Sequence, residues 1–158
     1  MRFLFLHSAF PGQFLFLARH LAAQGHQVVF LTLDNEKGEL PGVLRVGYKP
    51  GRAQSPQTHH YLRGLERAVI EGQAAYGAAA QLKQQGFTPD VIIGHSGWGS
   101  TLYMKDLYPT STFIGYFEWY YRAHGSDAAF GPHEQLSADD ECRIRTKNGP
   151  TLIDLYSS

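Results

Sequence analysis

Cysteine, net charge and long apolar runs are all scarce in this sequence, and each scarcity excludes a class of protein. The single cysteine, Cys142, rules out an intrachain disulfide and a four-cysteine zinc site. Lys plus Arg and Asp plus Glu are 14 each. With no basic excess, non-specific nucleic-acid binding loses its driving force, and no nucleic-acid partner is expected. The longest apolar runs, such as Phe14 to Ala18, reach about five residues, against roughly 18 for a spanning helix. The opening MRFLFLHSAFPGQF places Arg2 before an apolar stretch, as a signal peptide does. His7, Pro11, Gly12 and Gln13 break it, however, and no clean small-residue cleavage site follows. A buried first strand explains the same residues, and a cytoplasmic location is expected. Internal repeats, low-complexity segments, G-x-G-x-x-G, the P-loop motif and H-E-x-x-H are all missing.

What is present suits one domain spanning residues 1–158. The length matches a single core, and 43% hydrophobic with 13% aromatic residues leaves little room for global disorder. Phe3 to Leu6 and Val28 to Leu31 are continuous apolar runs of the kind a strand buried on both faces requires. Between them Pro11-Gly12 punctuates a turn, and Phe14, Leu17, Ala18 and Leu21 recur at helical spacing up to Gly25. Residues 2–32 therefore read as one βαβ unit. Residues 33–57 are polar and rich in Gly and Pro, with a third strand over 43–48. A long amphipathic helix is expected over roughly 58–85. Its Gly64, Gly72 and Gly77 predict close packing or a kink. Val91 to Ile93 and Thr112 to Tyr116 read as further strands, separated by a short helix through Leu102 and Met104. Residues 123–136 look like loop, Ser137 and Asp140 resemble a capping box, and Asn148-Gly149-Pro150 should interrupt the last helix. The expected fold class is α/β: a Rossmann-like, doubly wound, mostly parallel sheet of about five or more strands with helices on both faces.

In such a sheet ligands bind beyond the carboxyl ends of the strands, where the strand order reverses. Three loops answer that description: 7–13, 94–98 and 117–122. The turn Ala9 to Gln13 feeds a helix whose first amides can hold an anion, with Gly12 allowing close backbone approach; an ordinary βα turn with Pro near N1 has the same sequence. His95 lies among Gly94, Ser96, Gly97 and Gly99, which leave room for a ligand beside an imidazole, or for a structural histidine. Glu118 sits among aromatics that suit a sugar, whose CH faces stack while its hydroxyls bond the acid, or that form the edge of a core. The eight histidines are scattered, the adjacent His59 and His60 would point apart on a helix, and no metal site is expected. Cys142 has no evident base partner and reads as structural.

Taken together, MRFLFLHSAFPGQFLFLARHLAAQGHQVVFLT, PDVIIGHSGWGS and FIGYFEWYYRAHGSD resemble the N-terminal domain of family-four retaining glycosyltransferases with the GT-B fold. The likeness runs from residue 1 to about 147 and is closest to the subgroup carrying FPGQF-like and GYFEWYY-like segments. It implies a two-domain enzyme that moves a hexose from a nucleoside-diphosphate sugar to a sugar acceptor. The N-terminal half binds the acceptor, and a C-terminal donor-binding domain lies outside this chain. On that analogy His95 is catalytic, Gly12, Gln13 and Phe14 face the donor phosphate and sugar, and His7, Glu118, Trp119 and Tyr120 bind the acceptor. No cofactor is implied beyond the nucleotide sugar as co-substrate. Any peripheral membrane association would come through the full-length enzyme, and the isolated half is expected to be inactive. Two other readings stay open on the residues alone: a stand-alone domain binding FMN or a dinucleotide, and a non-catalytic module using the aromatic cluster to hold a partner protein.

Overall fold

Three apolar runs become the centre of a five-stranded parallel sheet because each is buried on both faces. The strands are β1 (Arg2–Leu6), β2 (Gln27–Leu33), β3 (Val43–Tyr48), β4 (Val91–His95) and β5 (Thr112–Tyr116), in the order β3-β2-β1-β4-β5. The computed structural model describes residues 1–35, 37–125, 128, 131 and 135–158. The Rossmann-like α/β fold matches the sequence expectation.

Alternation along β1 divides the core. Phe3 and Phe5 face the side covered by α1 (Leu15–Ala23), with Phe14, Ala18, Val28 and Phe30. Leu4 and Leu6 face the other side, against Ala75, Ala79 and Leu82 of α2 (Arg63–Gln84) and Met104 and Leu107 of α3 (Met104–Leu107). Helices thus cover both faces. The chain moves outward from β1 through β2 to β3, then returns to lay β4 on the opposite side of β1. The order reverses between β1 and β4, whose register pairs Leu6 with Gly94. His7 and His95 therefore flank the reversal.

The structure departs from the sequence expectation at several boundaries. The long helix begins at Arg63 rather than near 58. The preceding chain is folded back on its first turn, where the Glu66 carboxylate accepts from Arg52, the Ser55 amide and the Thr58 hydroxyl. His59 and His60, expected to point apart, lie in the turns before this helix with their rings stacked 4.7 Å apart. Of the three helix glycines, Gly72 is closely packed, since a Cβ there would sit 2.7 Å from the Gly99 carbonyl; Gly64 and Gly77 face open space. Phe14, expected to open the first helix, closes a 3-10 turn (Gly12–Phe14) that leads into α1. The capping box on α4 (Ala138–Lys147) is present: Ser137 Oγ accepts from the Asp140 amide, and the Asp140 carboxylate accepts from the Ser137 amide. The break at Asn148 is real, but the chain resumes as α5 (Gly149–Ser157), with Pro150 in the first turn where its missing N–H costs nothing. Half of the loop expected over 123–136 lies outside the described residues.

Candidate functional site

The carboxyl ends of β1, β4 and β5 bring four of the sequence-identified side chains into one connected group. His7 follows β1 and accepts at Nδ1 from the Ala9 amide, 2.8 Å away. That contact places the ring proton on Nε2, which donates to Gln13 Oε1 at 2.6 Å. The Gln13 amide nitrogen faces both Glu118 oxygens at 3.4 Å. His95, the last residue of β4 and 4% exposed, donates from Nε2 to Glu118 Oε2 at 2.9 Å. Donation thus runs inward from both histidines to the Glu118 carboxylate, whose side chain is 46% exposed. Burial, then the neighbouring His95, lower the His7 pKa, which favours its neutral form. The two imidazole rings are 4.6 Å apart. Among the described residues, the buried His95 Nδ1 has no hydrogen-bond partner.

Gly12 belongs to this group through its backbone. Its φ is +51°, and a Cβ would lie 2.7 Å from the His7 ring, so only glycine fits. Phe14 is different. Its side chain is buried against Phe5, His7, Phe30 and Tyr116, and its amide donates to the Pro11 carbonyl at 3.1 Å. The amides that head the turn are those of Gly12 and Gln13.

On the other side of the His95–Glu118 pair opens a cleft of about 270 Å³. His95, Ser96 and Gly97 line it together with Trp98, Trp119 and Tyr121, and Arg67 and Lys147 also border it. His7, Gly12 and Gln13 do not line this cleft. Tyr120 lines a neighbouring one with Tyr61, Arg122 and Cys142, whose side chain is exposed. The sequence-identified residues therefore separate into a turn on one side, the His95–Glu118 pair in the middle, and Trp119 on the other.

Two buried residues that sequence reasoning missed hold the cleft in shape. Asn148, fully buried between α4 and α5, makes a reciprocal pair with the Tyr121 backbone: Tyr121 N–H donates to Oδ1 and Nδ2 donates to the Tyr121 carbonyl, each at 2.8 Å. Asp154 of α5, 1% exposed, accepts from Thr101 Oγ1 at 2.6 Å and the Gly97 amide at 3.2 Å. Burial pushes its carboxyl pKa up. Gly99, at φ +118°, lets the same loop press onto α2, since a Cβ would lie 2.2 Å from the Ala68 carbonyl. A signal for Asp154 did exist: it is the one acid in the otherwise apolar run Leu152-Ile153-Asp154-Leu155-Tyr156. Arg67 and Lys147 had none, because they come from helices far apart in sequence.

Among the described residues no group of three or more His, Cys, Asp or Glu side chains could hold a metal ion. No helix among them is long and apolar enough to cross a membrane.

Comparison with known proteins adds a family. No curated protein sequence matches the chain. Two crystal structures of the glycosyltransferase SsfS6 from Streptomyces sp. SF2575 are similar in fold, one of them in complex with thymidine diphosphate. Identities are 15% and 14%; each comparison covers 73% of this chain and 38% of the other, with a TM-score of 0.46. The chain thus spans well under half the length of those enzymes. Residues 24–158, which include His95 and Glu118 but not the His7–Gln13 turn, match the model of the glycosyl transferase family 4 group, and the chain belongs to that family.

Proposed function

We propose that residues 1–158 form the acceptor-side domain of a retaining hexosyltransferase that takes its sugar from a nucleoside diphosphate. The donor-binding domain would be the second half of the enzyme. The observation that carries this reading is the His95–Glu118 pair at the strand-order reversal, with a backbone turn on one side and an aromatic cleft on the other. The Gly12 and Gln13 amides, at the head of the turn, would hold the diphosphate. The cleft beside Trp98, Trp119 and Tyr121 offers aromatic faces to the acceptor sugar.

In this arrangement a donor-sugar hydroxyl takes the place of Glu118 Oε2 as acceptor of the His95 Nε2 proton. The imidazole then steadies charge as the glycosidic bond breaks. Gln13 keeps hold of the Glu118 carboxylate, which is left facing the acceptor hydroxyl. Transfer proceeds on the front face, with retention: the acceptor oxygen bonds the anomeric carbon as the bond to the diphosphate oxygen breaks, and the acceptor's proton passes to the departing nucleoside diphosphate.

A full-length enzyme carrying His95→Ala should lose about 10²–10³-fold in kcat, the scale for removing one positioned donor. Unchanged transfer rates in a folded variant would refute the assignment. The separate domain should be inactive and bind UDP or GDP at millimolar strength or weaker. A helix N-terminus contributes up to about 2 kcal/mol per charge, against about 4 kcal/mol for a 1 mM ligand. Calorimetric titration giving micromolar affinity would defeat the division of the site between two domains.

A further inference from the structure

Resting on the acceptor-side reading above, we infer that the ligand of the aromatic cleft is an acidic saccharide, its carboxylate or phosphate held between Arg67 and Lys147. Arg67 comes from the first turns of α2 and Lys147 from the last residue of α4, yet both border the cleft that contains Trp98, Trp119 and Tyr121. Lys147 Nζ lies 3.6 Å from the centre of the Tyr121 ring, which orients the ammonium while leaving its N–H donors available. Arg67 has an electrostatic interaction with Glu71, one turn along the same helix. Among the described residues neither cation forms an ion pair.

The acidic groups nearby do not cancel this charge. Among the described residues Glu118 is the one carboxylate that lines the cleft, where Arg67 and Lys147 outnumber it. Asp154 is buried behind the loop, where it accepts from Thr101 and Gly97. The first turn of α5, with Pro150 and Thr151, borders the same cleft and adds the positive end of its dipole. Positive charge beside aromatic faces suits a sugar ring that stacks while its acidic substituent reaches the cations.

The test uses the two tryptophans of the chain, Trp98 and Trp119, which both line the cleft, so that intrinsic fluorescence reports on this site alone. The domain is titrated with methyl β-D-glucuronide, glucose 6-phosphate, neutral methyl β-D-glucoside and inorganic phosphate. At least one acidic sugar should bind about tenfold or more tightly than the glucoside, equivalent to about 1.4 kcal/mol. The two acidic probes separate a carboxylate from a phosphate preference. Raising salt from about 50 mM to about 0.5 M should shrink the advantage to about threefold or less, since the cations are solvent-exposed. Arg67→Gln and Lys147→Gln should each weaken acidic-sugar binding about fivefold and glucoside binding less than about twofold. The inference is overturned if the glucoside binds as tightly as both acidic sugars, if no saccharide changes the fluorescence up to about 50 mM, an affinity weaker than any useful site, or if inorganic phosphate binds as tightly as glucose 6-phosphate. The readout is binding rather than turnover. An unaffected His95→Ala enzyme would remove the catalytic assignment and leave this selectivity standing.

Discussion

Asn148→Ala should loosen the cleft from behind, and its cost follows from two hydrogen bonds. The side-chain amide is fully buried and bonds both the N–H and the carbonyl of Tyr121 at 2.8 Å. Removing it deletes two bonds worth about 0.5–1.5 kcal/mol each. The Tyr121 backbone groups are left without those partners; because Tyr121 is only half-buried, water recovers part of that loss. The sum is about 2–3 kcal/mol, or about 5–10 °C in Tm for a domain of this size. Urea unfolding followed by far-UV circular dichroism measures it. Native-state tryptophan fluorescence should shift as well, because Trp119 lies two residues from the released segment. Asn148→Asp sharpens the test. It keeps an acceptor for the Tyr121 N–H but sets a carboxylate against the Tyr121 carbonyl, so it should cost more at neutral pH than near pH 4. A loss of less than about 0.5 kcal/mol for Asn148→Ala, below even one ordinary hydrogen bond, would show that the reciprocal pair does not hold the segment in place.

Two further outcomes follow from the same packing. Burial raises the Asp154 pKa in the folded state, so its favourable contribution is complete below the unfolded value and is lost as pH rises through the folded value. Asp154→Asn keeps an oxygen for Thr101 and Gly97 without the charge. Relative to the parent, the variant should therefore gain stability as pH rises above about 4, and a pH-independent difference in urea midpoints would refute this. In α2, Gly77→Ala has open space around it and should stabilise by about 0.5–1 kcal/mol. Gly72→Ala meets the Gly99 carbonyl at 2.7 Å and should destabilise by about 1–3 kcal/mol. Thermal melts showing both variants shifted in the same direction would contradict the close approach of α2 to the Gly99 loop.

Much of the site was legible in sequence because sheet topology gives loops a fixed address. A strand that is apolar throughout must be central, and the residue just past its carboxyl end must lie on the ligand-binding rim. His7, His95 and Glu118 each sit just past a strand or at its last residue, so reading the strands correctly placed them together. Gly12 was legible as a turn residue, but that its backbone rests on the His7 ring was not. Phe14 shows the opposite case. The family resemblance set it in the donor-facing loop, and its side chain is buried, as suits an aromatic at the head of a helix on a Phe-rich sheet face.

By itself the sequence determined the parallel α/β architecture, the two-sided burial of its central strands and the three loops at the rim, because periodicity and turn residues are local properties of the chain. Only the tertiary structure decided that α5 exists beyond the Asn148-Gly149-Pro150 break, that Asn148 and Asp154 hold the cleft from behind, and that Arg67 and Lys147 border it together. Those relations depend on how α2, α4 and α5 dock around β4 and β5. Docking is set by the shape of packed surfaces, such as the fit of Gly72 against Gly99, and leaves no pattern in the spacing of residues along the chain.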